Sequence, residues 1–181
     1  MEANTFSIPV LRNSLEYLAI TTWWGTMLGL ESSGLLTHFW QHSMVVLGCW
    51  LKTGLFGAEN LKQLFDAARM NLPHHHFLML MGINMTQMVL SFAFDFHLLY
   101  NINPASFAGI GQDVAAWEAL FDFFYLSTLN FSFFGYSDIL PQTVPAKIVN
   151  LTEIVLAFVT VIFLLSDFIS LKASIRNEDR P

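Results

Sequence analysis

The residues of this chain that could do chemistry are few, and most are set among apolar neighbours. Glu153 and Asp167 interrupt a hydrophobic run from Ile148 to Leu171. A carboxylate in such a run is a functional candidate by default, because charge is expensive at membrane depth; the alternative role for Glu153 is a protonated or hydrogen-bonded packing residue. Asp138 closes the segment Ser132-Phe-Phe-Gly-Tyr-Ser-Asp138, which continues as Ile-Leu-Pro141. That segment offers hydroxyls, backbone carbonyls and one carboxylate. Such groups can replace an ion's hydration shell. His38 and His42 are spaced i, i+4, which is ligand spacing. His74 to His76 form a run suited to pH sensing, and His97 lies close to Asp95. No HExxH pattern or cysteine partner accompanies them, so interfacial histidines and a polar helix face are the expectation, with no metal and no cofactor. Cys49 is the single cysteine, which excludes an intrachain disulfide framework and a multi-cysteine metal site. There is no Walker loop, nucleophile elbow or pair of catalytic carboxylates, so the chain does not read as an enzyme.

The elements that must position these groups belong to a membrane protein. Of 181 residues, 54% are hydrophobic and only 12% charged, with 18 Phe and 5 Trp. Soluble proteins carry about 25% charged residues. The mean hydropathy is +0.51. Disordered chains are charged and poor in aromatics, so disorder is excluded. Eight Lys and Arg against fourteen Asp and Glu leave no basic surface for nucleic acid.

Phe77 to Phe94 is free of charge, and the run extends to Tyr100. About 20 apolar residues cross a bilayer as a helix, so 77–100 is expected to be one span. A second is expected over 145–171, with Thr143 as cap and Pro145 in its first turn. Residues 1–59 hold two further hydrophobic stretches, Leu15 to Leu30 and Leu35 to Phe56, separated by the turn Glu31-Ser-Ser-Gly34. They form either a membrane hairpin or interfacial helices, with Trp23, Trp24, Trp40 and Trp50 suited to the headgroup level. Over 60–76, Leu61, Leu64, Phe65 and Ala68 share one face, an interfacial amphipathic helix. Lys62 and Arg69 precede the first span, while Lys172, Arg176 and Arg180 follow the second. The positive-inside rule therefore places both flanks, and the C-terminus, in the cytoplasm of a multi-pass cell-membrane protein. Residues 176–181 are a charged tail.

Between the spans, Asp113 is positioned to cap a helix over 114–130, in which Trp117, Leu120, Phe121 and Phe124 recur at helical spacing. No soluble domain is at hand to bury it, so it is expected to dip back into the membrane. Non-helical backbone at that depth must be buried by protein or line water.

The stretch from Tyr125 to Asp138, Tyr-Leu-Ser-Thr-Leu-Asn-Phe-Ser-Phe-Phe-Gly-Tyr-Ser-Asp, resembles the pore loop of two-transmembrane potassium channels, whose pattern is approximately YFSxxTxTTVGYGD. It aligns without a gap and keeps Tyr125, Ser127, Gly135, Tyr136 and Asp138. Ile139-Leu-Pro-Gln-Thr143 resembles the I-x-P-x-T that often follows. Lys147 and Glu153 fall where many prokaryotic members have a basic residue and a Glu. The resemblance covers about Phe77 to Ile175 and implies an all-α integral membrane protein. Its pore module over 77–175 comprises an outer helix, a re-entrant pore helix, a filter at 132–138 and an inner helix, with four copies around one axis. It further implies a monovalent cation, potassium in the family, as the permeant ion.

The filter departs from the family. Ser132 keeps the hydroxyl of the first Thr, but Phe133 replaces the second, whose hydroxyl is the innermost ligand. Phe134 replaces the Val that packs behind the filter. Ser137 replaces a Gly that needs left-handed backbone, at a cost of roughly 1–2 kcal/mol. Ala157 stands at the usual hinge Gly. Asp138 is expected at the outer mouth, hydrogen-bonded to Tyr125, and Asp167 near the inner mouth. The resulting expectation is a homotetrameric cation channel in the lipid bilayer with altered or weakened potassium selectivity. The alternative is a non-conducting accessory membrane protein, partnered by another membrane protein, that retains the hairpin.

Overall fold

The computed structural model describes residues 3–33, 38–70, 74–111, 114–135 and 137–178. Among them are five α-helices: α1 (Ala3–Ser32), α2 (His38–Met70), α3 (His74–Ile102), α4 (Ala116–Phe131) and α5 (Val144–Glu178). Two short strands, β1 (Phe107–Ala108) and β2 (Leu140–Pro141), pair antiparallel, with Phe107 opposite Pro141. The chain is thus mostly helical. Val144–Phe163 is the one stretch among the described residues long and apolar enough to cross a membrane. Helix α3 runs through the other expected span, 77–100; the Phe77 side chain lies outside what is described.

Helix α3 is the centre of the fold and packs against all four other helices. Every side chain from Ser91 to Leu99 is buried, as expected of a helix apolar on most sides. Phe96, Phe107 and Phe123 form an aromatic knot joining α3, β1 and α4, with the Phe107 and Phe123 centroids 4.8 Å apart. Helix α1 lies on α3 through Trp24, stacked on Phe94 at 4.6 Å. It meets α2 where Gly48 leaves room for the Trp23 ring; a Cβ at Gly48 would stand 2.5 Å from that ring.

Helix α2 runs unbroken through both the Leu35 to Phe56 stretch and the segment over 60–70, where the sequence pattern suggests two separate elements. It packs on α3 and on α5. Trp50 Nε1 donates to Thr152 Oγ1 at 3.2 Å across the second contact.

The ends of α4 and α5 differ from expectation. Helix α4 starts after Ala115, which supplies no side-chain cap, and Asp113 lies outside the described residues. Glu118 in the first turn complements the helix dipole. Helix α5 starts after Thr143, with Lys147 N–H bonded to the Thr143 carbonyl at 3.0 Å. The Thr143 hydroxyl has no partner, so the expected side-chain cap is not formed. Pro145 fits the first turn because its missing N–H would have found no partner there.

Candidate functional site

The turn after α4 is built by the way that helix stops. Phe134 N–H bonds back to Leu129 O, and Phe133 N–H to Asn130 O, both at 3.2 Å. This pair is a Schellman cap, which requires the residue after the cap to be left-handed and usually places Gly there. Here that residue is Phe133, at φ +57°. Gly135 follows at φ +64°. A left-handed non-glycine costs about 1–2 kcal/mol.

The sequence places this strain at Ser137 instead. Among the described non-glycine residues only Phe133 has positive φ. Ser137 Oγ accepts the Ile139 N–H at 3.1 Å, a local turn that serine forms readily. The difference has a physical cause: the end of α4 fixes the left-handed position, and it falls four residues before Ser137.

The Phe133 ring stands edge-on to Phe158 of α5, centroids 6.3 Å apart and planes at 87°. The turn after α4 therefore touches α5 through an aromatic pair. Phe134 is 78% exposed, and its ring does not pack behind the turn within this chain. Ser132 Oγ donates to Thr128 O at 2.8 Å. Tyr136 lies outside the described residues.

Behind α4 a buried polar cluster ties three helices together. Glu153 is fully buried. Its Oε1 is hydrogen-bonded to Ser127 Oγ, and its Oε2 accepts from Asn130 Nδ2 at 2.7 Å. Asn130 Nδ2 also donates to Asn150 Oδ1 at 2.8 Å, and Ser127 Oγ donates to Val89 O of α3 at 2.9 Å. The cluster satisfies polar groups that an apolar interior would otherwise strand. Glu153 thus braces α4 against α5. The sequence pattern singles out Glu153 and Ser127 but assigns no role to Asn130 and Asn150. Their signal was a polar residue recurring in an apolar helix on the Glu153 side.

The end of the fold beside β1 and β2 is closed by backbone. Gln142 N–H bonds to Ser106 O at 2.8 Å, beside the β1–β2 pair. Gly109, at φ +93°, lies so close to Asp138 that a Cβ would stand 2.0 Å from the Asp138 carbonyl oxygen. Asp138 itself is exposed, and so is Tyr125. No hydrogen bond joins these two described residues, because Tyr125 projects from the free face of α4. Ala157 is buried in the core. The Asp167 side chain lies outside the described residues, as do those of His38 and His74 to His76. His97 is buried against Trp24 and Phe123 and meets Asn101 at 3.2 Å.

Two apolar faces remain uncovered. On α4 it carries Trp117, Phe121 and Tyr125; on α5 it carries Leu151, Val155 and Phe158 and continues to Leu165. Among the described residues the interior is mainly apolar, with polar groups such as Glu153 and Asp95 set into it. No protein-family model, curated protein or solved structure matches the chain.

Proposed function

We propose that this chain is a membrane-embedded pore subunit that assembles as four copies and passes monovalent cations with weakened potassium selectivity. The observation that carries the reading is the seating of α4. It is a 16-residue helix, about 24 Å long, held between α3 and α5 and ending in a hydrogen-bonded capping turn. Such a hairpin encloses no pathway alone. In lipid, the backbone of the turn would need partners from other copies.

Further support comes from the surface and from the charges inside. Among the described residues large apolar side chains stand exposed, while Asp95 and Glu153 are buried in a largely apolar core. Polar groups turned toward the bundle interior are what a bilayer enforces. In this reading α1, α2, α3 and α5 span the membrane in alternating directions. The N-terminal hydrophobic stretches then form the hairpin, and the segment around Lys62 and the C-terminus are cytoplasmic. Asp138 then stands at the outer mouth, where repeated carboxylates attract cations.

One observation favours the accessory reading. Phe133 occupies the strained position of the turn and offers no oxygen to an ion. Native mass spectrometry and ion flux on one reconstituted sample decide between the two. Tetramers that carry potassium and sodium uphold the channel. Tetramers that carry neither ion favour the accessory protein, and monomers or dimers alone overturn the pore assembly.

A further inference from the structure

Phe133 and Phe158 belong to different parts of the proposed pathway, and their contact has a consequence for how that pathway is controlled. Phe133 is the first residue past the cap of α4, in the left-handed region. Phe158 lies on the uncovered stripe of α5, two turns beyond Leu151. Their rings meet edge to face at 6.3 Å, a favoured aromatic geometry. Both remain substantially exposed, at 45% and 58%. Neither ring is therefore consumed by the core of its own chain. A strained residue kept at a turn is an invitation to ask what the strain serves. Here it presents a phenyl ring to the helix that would move.

We infer that Phe133 and Phe158 together form an apolar collar on the inner side of the filter turn, closing the pathway by excluding water until α5 shifts Phe158 away. The inference rests on the pore reading. Repeated around an axis, the pair gives two stacked levels of rings with no hydroxyl between them. A narrow apolar constriction gates by dewetting. Because Phe158 rides on α5, displacement of that helix removes one level and releases Phe133. The collar excludes every hydrated cation alike, so it sets how often the pathway opens and not which ion it prefers.

The test uses the full chain in vesicles loaded with potassium or sodium, comparing wild type with Phe158→Ala and Phe158→Asn. The Asn variant replaces the ring with a small polar amide that admits water. Both are expected to raise potassium and sodium flux by about two- to tenfold, the effect of losing roughly one ring contact from the barrier. The potassium-to-sodium ratio should not change. Adding Phe133→Ala to Phe158→Ala should give little further increase, since the two act as one constriction. Wild type that conducts, with both Phe158 variants equal to it, overturns the collar and leaves the pore reading standing. A changed ion ratio without added flux also overturns it, because Phe158 would then shape the filter. Absence of flux from wild type and every variant overturns the pore reading, and the collar with it.

Discussion

Lys52 Nζ lies 2.6 Å from Asp95 Oδ1, joining α2 to α3 with the carboxylate almost wholly buried. Cys49, one turn before Lys52, lies against the same pair. Removing one partner of a buried ion pair strands the other and typically costs about 3–5 kcal/mol. Lys52→Met and Asp95→Leu are each expected to lower stability by that order. The double variant should recover most of the loss, since an apolar replacement of a whole buried pair is often neutral. Unfolding of the four proteins in one detergent measures the cycle. Additive losses in the double variant would show that the two side chains do not act as a pair.

Glu153 makes a second, chemically sharper prediction. Ser127 Oγ carries one proton, yet it lies within hydrogen-bond reach of both Val89 O and Glu153 Oε1. A proton on Glu153 resolves the count: the carboxyl donates to Ser127, and Ser127 donates to Val89. The Asn130 amide already uses both its protons, on Asn150 and on Glu153 Oε2. Glu153→Gln reproduces this pattern of donor and acceptor and should change stability by less than about 1 kcal/mol. Glu153→Ala leaves one Asn130 N–H without its acceptor, at about 1–3 kcal/mol, and takes one of two partners from Ser127, which keeps Val89 O. Infrared spectra should contain a protonated-carboxyl band that the Gln variant lacks. A Gln variant as unstable as the Ala variant would mean that Glu153 is ionised.

Gly109 allows a test of the outer loop. A Cβ there meets the Asp138 carbonyl at 2.0 Å, and its φ of +93° disfavours any side chain. Gly109→Ala is expected to destabilise by more than about 1 kcal/mol. Gly54→Ala in α2, with nothing near the added Cβ, should stabilise by about 0.5–1 kcal/mol. Thermal unfolding of both variants distinguishes a backbone clash from a general intolerance of substitution.

How legible these features were depends on their range. The segments that became α3, α4 and α5 were readable because each is a long apolar or periodic run. The start of α4 shifted from the expected Val114 to Ala116, whereas α5 starts directly after Thr143 as expected, without the side-chain cap. Lys52 and Asp95 were visible as charges in apolar stretches, but nothing local pairs residues 43 positions apart. Phe133 was flagged for its missing hydroxyl, whereas its left-handed backbone follows from where α4 ends, which the aligned pattern does not state. Phe158 drew no attention, because one phenylalanine in an apolar helix resembles any other until its neighbour is known.

Helix direction yields a labelling prediction. Met27 and Leu30 of α1, Gln41 of α2, and Leu98 and Ile102 of α3 line one small cavity. The end of α1, the start of α2 and the end of α3 therefore share one end of the fold. With a bilayer around the fold, Ser33→Cys in a Cys49→Ser background should be labelled from outside, and Lys62→Cys from the cytoplasm. Labelling of both from one side would remove the N-terminal hairpin from the membrane.

The last prediction locates the left-handed turn itself. At position 133 the backbone needs positive φ, so Gly and Ala differ there by the conformational cost alone, both having lost the ring contact with Phe158. Phe133→Gly should be more stable than Phe133→Ala by about 1 kcal/mol. Against wild type, Phe133→Gly gains the relief of strain and loses an edge-to-face pair of about 0.5–1.5 kcal/mol, so its net change should be small. At position 137 the order reverses. Ser137 is not left-handed, and its hydroxyl holds the Ile139 N–H. Ser137→Gly therefore frees the backbone without relieving strain and should be the less stable of Ser137→Gly and Ser137→Ala. Placing Gly at 137, where the potassium-channel pore pattern has it, is thus expected to weaken the turn, while Gly at 133 leaves it intact. If Gly proves favourable at 137 and unfavourable at 133 in unfolding measurements, the turn after α4 follows the potassium-channel pattern instead of the Schellman cap, and the aromatic collar loses its footing.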